Sequence, residues 1–277
     1  MMNRIDAHNH FWIYEKARDA WITDEMNVIQ RNFLPEDLYS VLQENNTDGC
    51  VAVQADQSEK ETEFLLQLAK KNDFIKGVVG WIDLKNKNVE DRLAHYSEEK
   101  KLKGFRHILQ AENVETYLSD DDFLHGISLL NKYDFTYDIL AYHTQLKYVD
   151  DFVKRFPHQR FVIDHLAKPD IKNDAIDRWT EEISIVAKNE NVYCKISGMV
   201  TEADWQNWKA EDLYPYINVV VQHFGTGRIM FGSDWPVCLV ASSYSGWLKV
   251  LGNYFKDFSF NEKEKFFGGN AAEFYNL

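Results

Sequence analysis

The residues in this sequence best suited to chemistry begin with two histidines near the start of the chain. His8 and His10 stand in the segment Arg4-Ile5-Asp6-Ala7-His8-Asn9-His10, which is typical of a strand. Alternate residues of a strand point to one face, so Asp6, His8 and His10 are expected on the same side. Two imidazoles at one strand end can share a metal ion or polarise one carbonyl oxygen. An isolated pair of this kind is common, so the interpretation depends on partners elsewhere.

Two later segments supply those partners. The apolar run Phe161–His165 ends in a histidine, and Arg228–Ser233 is followed directly by Asp234. Taken singly, His165 could be a core histidine and Asp234 a turn or helix-cap residue. Together with the first pair they favour one site of three imidazoles and one carboxylate. Such a set suits a single zinc-like ion, and equally suits metal-free catalysis in which imidazoles polarise a carbonyl and the carboxylate takes a proton from water.

The elements that must position these residues follow a regular alternation. Short runs rich in Val, Ile and Phe predict eight buried strands. These are Arg4–His8, Cys50–Ala55, Gly77–Ile82, Gly104–Ile108, Thr136–Ala141, Phe161–His165, Val192–Ser197 and Arg228–Ser233. Amphipathic segments predict the helices Glu59–Lys71, Asp120–Lys132, Leu146–Phe156, Ala175–Lys188, Asp212–Phe224, Tyr244–Tyr254, Glu262–Phe267 and Ala271–Tyr275.

Alternating strands and helices predict an α/β fold with a parallel sheet. Eight units in this length favour a single (β/α)8 TIM-barrel domain spanning residues 1–277, with all strand carboxyl ends facing one site. A doubly wound open sheet is the alternative, but it would want a G-x-G-x-x-G turn, which the sequence lacks. The segment Phe11–Asp37 is expected to be a long first βα loop that walls the site. Asn86–Glu99 and Glu112–Asp122 are polar and expected at the surface.

Composition restricts the class of partner. The chain has 277 residues, 45% of them hydrophobic, and a formal net charge of −13. A protein this acidic repels phosphate backbones and anionic lipid, so neither a nucleic acid nor a membrane is expected as a partner. Three cysteines form no disulfide framework, and no apolar leader precedes His8. We therefore expect a soluble cytoplasmic protein; oligomeric state is left open.

Six short segments, spread in order over nearly the whole chain, carry a resemblance to a known family. They are Asp6–Trp12, Gly80–Asp83, Lys103–Gln110, Asp164–Pro169, Lys195–Met199 with Thr201–Trp205, and Phe231–Pro236. In these segments the sequence resembles the amidohydrolase superfamily, in its branch of L-fuconolactonase- and L-rhamnonolactonase-like sugar lactonases. The resemblance implies a TIM barrel that hydrolyses a cyclic ester.

The resemblance also implies roles for single residues. His8, His10 and His165 match the histidines of the first and sixth strands, and Asp234 matches the general base. Members with two metals carry a bridging Lys or Glu at the end of the fourth strand, where this chain has Arg106-His107. At most one divalent ion is therefore expected, with ligands among His8, His10, His165 and Asp234, and none is strictly required for catalysis.

Residues next to these strand ends are expected to bind the substrate. Trp12, Trp81 and Trp235 could stack on a sugar ring, although rim packing explains each equally well. Arg106 and Lys168 could donate hydrogen bonds, with a structural salt bridge the alternative for Arg106. The catalytic set is completed by a proton donor to the leaving ring oxygen.

That donor is either His107 or protonated Asp234. Arg106 is the only arginine at a predicted strand carboxyl end, so a neutral sugar lactone is favoured over a dicarboxylate. Two other functions compete with lactone hydrolysis. One is a metal-dependent decarboxylase or other hydrolase of the same superfamily, and the other is a non-catalytic sugar-binding barrel.

Overall fold

Eight parallel strands form one sheet in which each strand pairs with the next along the chain. The structure is a computed structural model that describes residues 3–277. The strands are β1 Ile5–Asn9, β2 Gly49–Val53, β3 Ile75–Gly80, β4 Leu102–Ile108, β5 Thr136–Leu140, β6 Phe161–Ile163, β7 Val192–Ile196 and β8 Ile229–Phe231. The predicted α/β class and all eight strands are confirmed, with ends that differ by a few residues.

The two edges of the sheet meet just beyond β1 and β8. The amide of His10 donates to the carbonyl of Trp235 at 2.7 Å, and the amide of Asp234 donates to the carbonyl of His8 at 2.8 Å. A parallel bridge also joins Asn9 to Trp235. These contacts close the sheet into a barrel at its carboxyl end, which is the end where the predicted site residues lie.

Helices connect successive strands and follow the last one. They are α1 Pro35–Glu44, α2 Glu59–Lys71, α3 Val89–Tyr96, α4 Val114–Tyr117, α5 Asp121–Leu130, α6 Leu146–Val153, α7 Ile176–Val186, α8 Ala210–Phe224, α9 Tyr244–Tyr254, α10 Phe260–Glu264 and α11 Asn270–Tyr275. The eight predicted helices are present, with several ends shorter and the last two joined by a π-helical turn, Lys265–Gly269. No helix within residues 3–277 is long and apolar enough to cross a membrane.

Three segments predicted as loop or polar surface contain helices. The end of Phe11–Asp37 is the start of α1, where Pro35 occupies the first turn and the carboxylate of Asp37 accepts from the amide of Leu34 at 2.9 Å. Within 86–99, α3 buries Val89, Leu93 and Tyr96. These residues are spaced as one helical stripe, so the signal was present but short. Within 112–122 lies α4, which is only one turn long.

A small apolar cluster joins the strands of the barrel to the last helix. It joins residues of β1, β2, β3, β6 and β8 to Phe274 and Tyr275 of α11. Arg160, the residue just before β6, donates to the carbonyl of Phe274 at 2.8 Å, which places α11 against the amino ends of the strands. Burial of these apolar groups stabilises the barrel floor and leaves polar groups to the opposite end.

Candidate active site

Four side chains from three strand ends converge at the carboxyl end of the barrel, and we call them the catalytic cluster: His8, His10, His165 and Asp234. Nε2 of His8 lies 3.2 Å from Nε2 of His10. Oδ1 of Asp234 lies 3.4 Å from Nε2 of His10 and 3.9 Å from Nε2 of both His8 and His165. All four residues are buried. The structure therefore brings together the four residues that the strand ends predicted.

Neighbouring groups orient two of the imidazoles. Nδ1 of His10 lies 2.8 Å from the carbonyl of Val53, so this nitrogen carries the proton and donates it. Its Nε2 then has a free lone pair directed at the cluster. Nδ1 of His165 lies 2.8 Å from Oγ of Ser197, a hydroxyl that can accept or donate.

A left-handed turn, rather than the end of a strand, holds His165. Strand β6 ends at Ile163, and residues 165–168 all have φ between 50° and 57°. This conformation is costly for residues other than glycine, so surrounding contacts must impose it. The indole of Trp179 donates to the carbonyl of Leu166 at 2.8 Å. Gly198 approaches so closely that a Cβ there would lie 2.5 Å from Nδ1 of His165.

Asp6 does not join the imidazoles, contrary to the expectation from strand alternation. The register of β1 against β2 shifts between Asp6 and Asn9, so the simple two-residue period is interrupted. The carboxylate of Asp6 instead accepts from the amide and the hydroxyl of Ser233, at 2.8 and 2.6 Å. This pair fixes the chain just before Asp234, whose own φ is +58°.

A second group of charged side chains lies directly against His8, and we call it the ionic cluster: Arg106, Asp138, Asp164 and Lys195. Lys195 Nζ lies 2.5 Å from Oδ2 of Asp138 and 3.0 Å from Oδ1 of Asp164. Arg106 Nη1 lies 3.0 Å from Oδ2 of Asp164. Burial of the four side chains is almost complete.

No role for Asp138, Asp164 or Lys195 is predicted from the sequence. A signal was available, because Asp138 and Lys195 each interrupt an otherwise apolar strand. A charge in a strand buried on both faces needs an oppositely charged partner. Which strand supplies that partner depends on how the barrel closes.

Burial sets the protonation of the catalytic cluster. It lowers the pKa of His165 to about 4 and the pKa of His8 well below its usual range. Burial alone would raise the pKa of Asp234, but His165, His10 and His8 outweigh it and lower that pKa. At neutral pH the cluster therefore contains uncharged His8 and His165 beside an ionised carboxylate.

His107, predicted as a possible proton donor, has both ring nitrogens engaged away from Asp234. The indole of Trp81 donates to its Nδ1 at 3.2 Å, and its Nε2 lies 3.1 Å from Oε1 of Glu112. Its ring stacks on Tyr117 with centroids 4.6 Å apart. These contacts make His107 a support for the Trp81 side chain rather than a member of the catalytic cluster.

The three predicted stacking tryptophans differ in exposure. Trp12 and Trp235 are 1% and 2% exposed, and both pack edge-on against Phe33. The indole of Trp12 also donates to the carbonyl of Arg31 at 2.8 Å. Their faces are therefore covered by the first loop, in agreement with the rim-packing alternative. Trp81 is partly exposed.

The two predicted cationic contacts also differ. The guanidinium of Arg106 donates to Asp164 and to the carbonyl and side-chain oxygens of Gln54, so it forms the kind of ion pair that was its alternative role. Lys168 ends the left-handed turn, with Nζ 3.2 Å from Oε1 of Glu202 and a side chain 22% exposed.

The catalytic cluster has the donors and spacing of a single-ion site. One atom each of His8, His10 and Asp234 lie within 4.8 Å of one another. A tetrahedral zinc ion with bonds of about 2.0–2.1 Å holds its ligands about 3.3 Å apart. The separations of 3.2 and 3.4 Å around His10 match that figure, while the 3.9 Å between Nε2 of His8 and Oδ1 of Asp234 is longer. A second group of possible metal ligands consists of His8, Asp164 and His165. The carboxylate of Asp164 is, however, already paired with Arg106 and Lys195.

Comparison with known proteins agrees with this geometry. A sequence profile of the amidohydrolase family matches residues 5–277. An L-fucono-1,5-lactonase of Burkholderia multivorans is 38% identical over 99% of this chain and 96% of that protein. An L-fucono-1,5-lactonase of Burkholderia ambifaria is 33% identical over 100% of this chain and 97% of that protein. The crystal structure of an amidohydrolase from Burkholderia multivorans with bound zinc superposes with a TM-score of 0.96, at 38% identity over 99% of both chains.

Proposed function

Because the chain belongs to the amidohydrolase family, we propose that it hydrolyses a neutral sugar aldonolactone to the open-chain aldonate. L-fuconolactone is the first choice of substrate and L-rhamnonolactone the second. The observation that carries the proposal is the catalytic cluster, an ionised Asp234 within 4 Å of three imidazoles in a chain similar throughout its length to two L-fucono-1,5-lactonases. The enzyme is a carboxylic ester hydrolase.

Asp234 is the general base of the proposed reaction. Its carboxylate takes a proton from water while the water oxygen forms a bond to the lactone carbonyl carbon. Imidazole N–H groups of the catalytic cluster stabilise the oxyanion that develops. The tetrahedral intermediate then collapses, the bond from the carbonyl carbon to the ring oxygen breaks, and protonated Asp234 returns its proton to that oxygen. This assignment follows because both ring nitrogens of His107 are engaged elsewhere.

A metal ion is compatible with the site but is not part of this route. We expect at most one divalent ion per chain, with ligands among His8, His10, His165 and Asp234. Such an ion would polarise the lactone carbonyl as a Lewis acid. The proposal requires of the chain's own residues only that Asp234 stays ionised and that an N–H donor faces the carbonyl oxygen.

The contacts of Arg106 favour a neutral substrate. Carboxylates are recognised best by guanidinium groups with free N–H pairs. Arg106 lies at the carboxyl end of β4, but its N–H groups are directed at Asp164 and Gln54. The partly exposed Trp81 instead offers an aromatic surface to the C–H groups of a sugar.

A pH-indicator assay on a panel of aldonolactones, with and without chelator, tests the function. We expect acid release from L-fuconolactone and slower release from related sugar lactones, since one methyl group discriminates by only about 1–3 kcal/mol. Chelator is expected to leave the rate unchanged. Release of carbon dioxide from an aromatic acid, with no opening of any lactone, would instead establish the decarboxylase.

A further inference from the structure

We infer that His143 is a positioning residue for His165. Its Nδ1–H group binds the carbonyl oxygen of Lys168 and thereby holds the left-handed turn His165–Lys168 in the conformation that directs the His165 imidazole at Asp234. The effect on the turn is a property of the chain and can be measured without any substrate. The inference rests on the proposed function only where turnover of a lactone is the readout.

The hydrogen bond of His143 has only one possible direction. Its Nδ1 lies 2.8 Å from the carbonyl oxygen of Lys168, and a carbonyl oxygen can only accept. Nδ1 therefore carries the proton, whatever the state of Nε2. His143 follows the end of β5 and Lys168 follows the end of β6. The bond thus joins the chain segments beyond two neighbouring strands of the barrel.

His143 is itself held in a short turn after β5. Residues His143–Gln145 form one 3₁₀-helical turn. The side chain of Gln145 accepts from the amide of Tyr142 at 2.8 Å and donates to the carbonyl of Leu109, just after β4, at 3.3 Å. The imidazole of His143 is therefore a donor with a fixed position relative to β4 and β5.

The left-handed turn needs such donors because its backbone is strained. Its four residues have φ of 54°, 54°, 57° and 50°, and none of them is glycine. Residues other than glycine adopt this region only where surrounding contacts impose it. Two carbonyls of the turn accept from side chains of other elements, that of Leu166 from Trp179 and that of Lys168 from His143, both at 2.8 Å. Loss of either donor removes a restraint that keeps the turn left-handed.

The residue that His143 binds is coupled directly to His165. The amide of Lys168 donates to the carbonyl of His165 at 2.7 Å, so the two ends of the turn move together. The imidazole of His165 lies with Nδ1 2.8 Å from Oγ of Ser197 and Nε2 3.9 Å from Oδ1 of Asp234. Release of the Lys168 carbonyl would let the turn relax and carry the imidazole away from the carboxylate.

Crystal structures of two variants test the conformation directly. His143→Asn places an amide N–H group where Nδ1 of the imidazole stands, whereas His143→Leu removes the donor. We expect His143→Asn to keep φ of the turn between 50° and 57°. In His143→Leu we expect the turn to leave this range and Nε2 of His165 to move away from Asp234 by about 1 Å or more, a displacement large enough to affect catalysis. An unchanged turn and imidazole in His143→Leu would overturn the inference, whatever the substrate is.

Kinetic coupling to His165 separates positioning from a direct contact with the substrate. In His143→Leu we expect kcat to fall about 10–10²-fold, the cost of a catalytic group misplaced by about 1 Å, with KM changed less than about threefold. His143→Asn should retain the natural kcat. In a chain that already carries His165→Asn, adding His143→Leu should lower kcat less than about threefold, because the group that it positions is gone.

Equal losses of kcat from His143→Leu in the two backgrounds would show a role independent of His165 and would contradict the inference. A natural protein that opened no lactone would count against the proposed function alone, since the crystallographic test needs no turnover.

Two further variants complete the design. His143→Gln carries its amide at the position of Nε2 and should behave like His143→Leu, which it replaces if leucine prevents folding. Natural activity in His143→Gln together with a loss in His143→Asn would assign the function to Nε2 and overturn the inference. His158→Leu makes the same substitution at an exposed histidine before β6, at the opposite end of that strand, and is expected to match the natural protein in every measurement.

Discussion

The barrel contains two adjoining groups of buried polar side chains, and they differ in how their charges are matched. In the ionic cluster, Lys195 lies between Asp138 and Asp164, and Arg106 binds Asp164 as well. In the catalytic cluster, the nearest partners of Asp234 are imidazoles, and no Lys or Arg within residues 3–277 lies within 4 Å of its carboxylate. In the first group each charged side chain has an oppositely charged partner within the protein. The second keeps hydrogen-bonding capacity for water and a substrate.

Because the two clusters differ in this way, replacing an Asp by Asn should mainly lower kcat in the catalytic cluster and mainly lower stability in the ionic cluster. Asp234→Asn should lower kcat about 10²–10⁴-fold, because the amide cannot take a proton from water. The free energy of unfolding should change by less than about 1 kcal/mol, since Asn, like Asp, tolerates the left-handed backbone at this position. Steady-state kinetics and urea unfolding measure both.

Retention of more than about a tenth of kcat in Asp234→Asn would place the base elsewhere. Asp234→Ala is the contrasting variant, because Ala adds backbone strain at φ +58° and should lose stability as well as activity.

Asp164→Asn should do the reverse within the ionic cluster. Removing one partner of a buried ion pair costs about 3–5 kcal/mol, because the remaining charge stays buried without compensation. Asp164 faces both Arg106 and Lys195, so two cations would lose part of their compensation. Urea unfolding should show that loss. A stability equal to that of the natural protein would show that the two groups do not differ as described.

The smallest expected effect is that of pH on catalysis. The pKa of His165 is lowered to about 4 and that of Asp234 lies below its usual range, so neither group should titrate between about pH 5.5 and 8. kcat/KM should therefore show no ionisation of His165 or Asp234 over that interval, and an acidic limb near pH 6.5 that disappears in a His165→Asn variant would contradict this protonation. The lowered pKa of His165 also makes the stability of the fold depend on pH. The unfolded chain binds more protons at His165 than the native chain between about pH 4 and 6.5, so stability should fall as pH is lowered through that interval.

The strands are predictable from the sequence because each is an apolar run buried on both faces. Helices α1 and α3 are much less predictable, for a physical reason. In both, few apolar residues form a short stripe within polar sequence, and the helix is stabilised by packing on the barrel. The interruption of alternation after Asp6 was likewise invisible, because a register shift depends on the neighbouring strand.

The sequence is enough to predict which groups meet at the carboxyl end of the barrel. His8, His10, His165 and Asp234 each stand at or just after an apolar strand, and parallel strands in a barrel bring such positions together. The surroundings of those groups, in contrast, depend on contacts between residues that are far apart in the sequence. Lys195 reaches His8 across 187 residues of sequence, and such contacts depend on how the strands close around the axis rather than on any local pattern. The same closure buried Trp12 and Trp235 under the first loop, because an aromatic ring at a strand end packs against whatever chain folds over it.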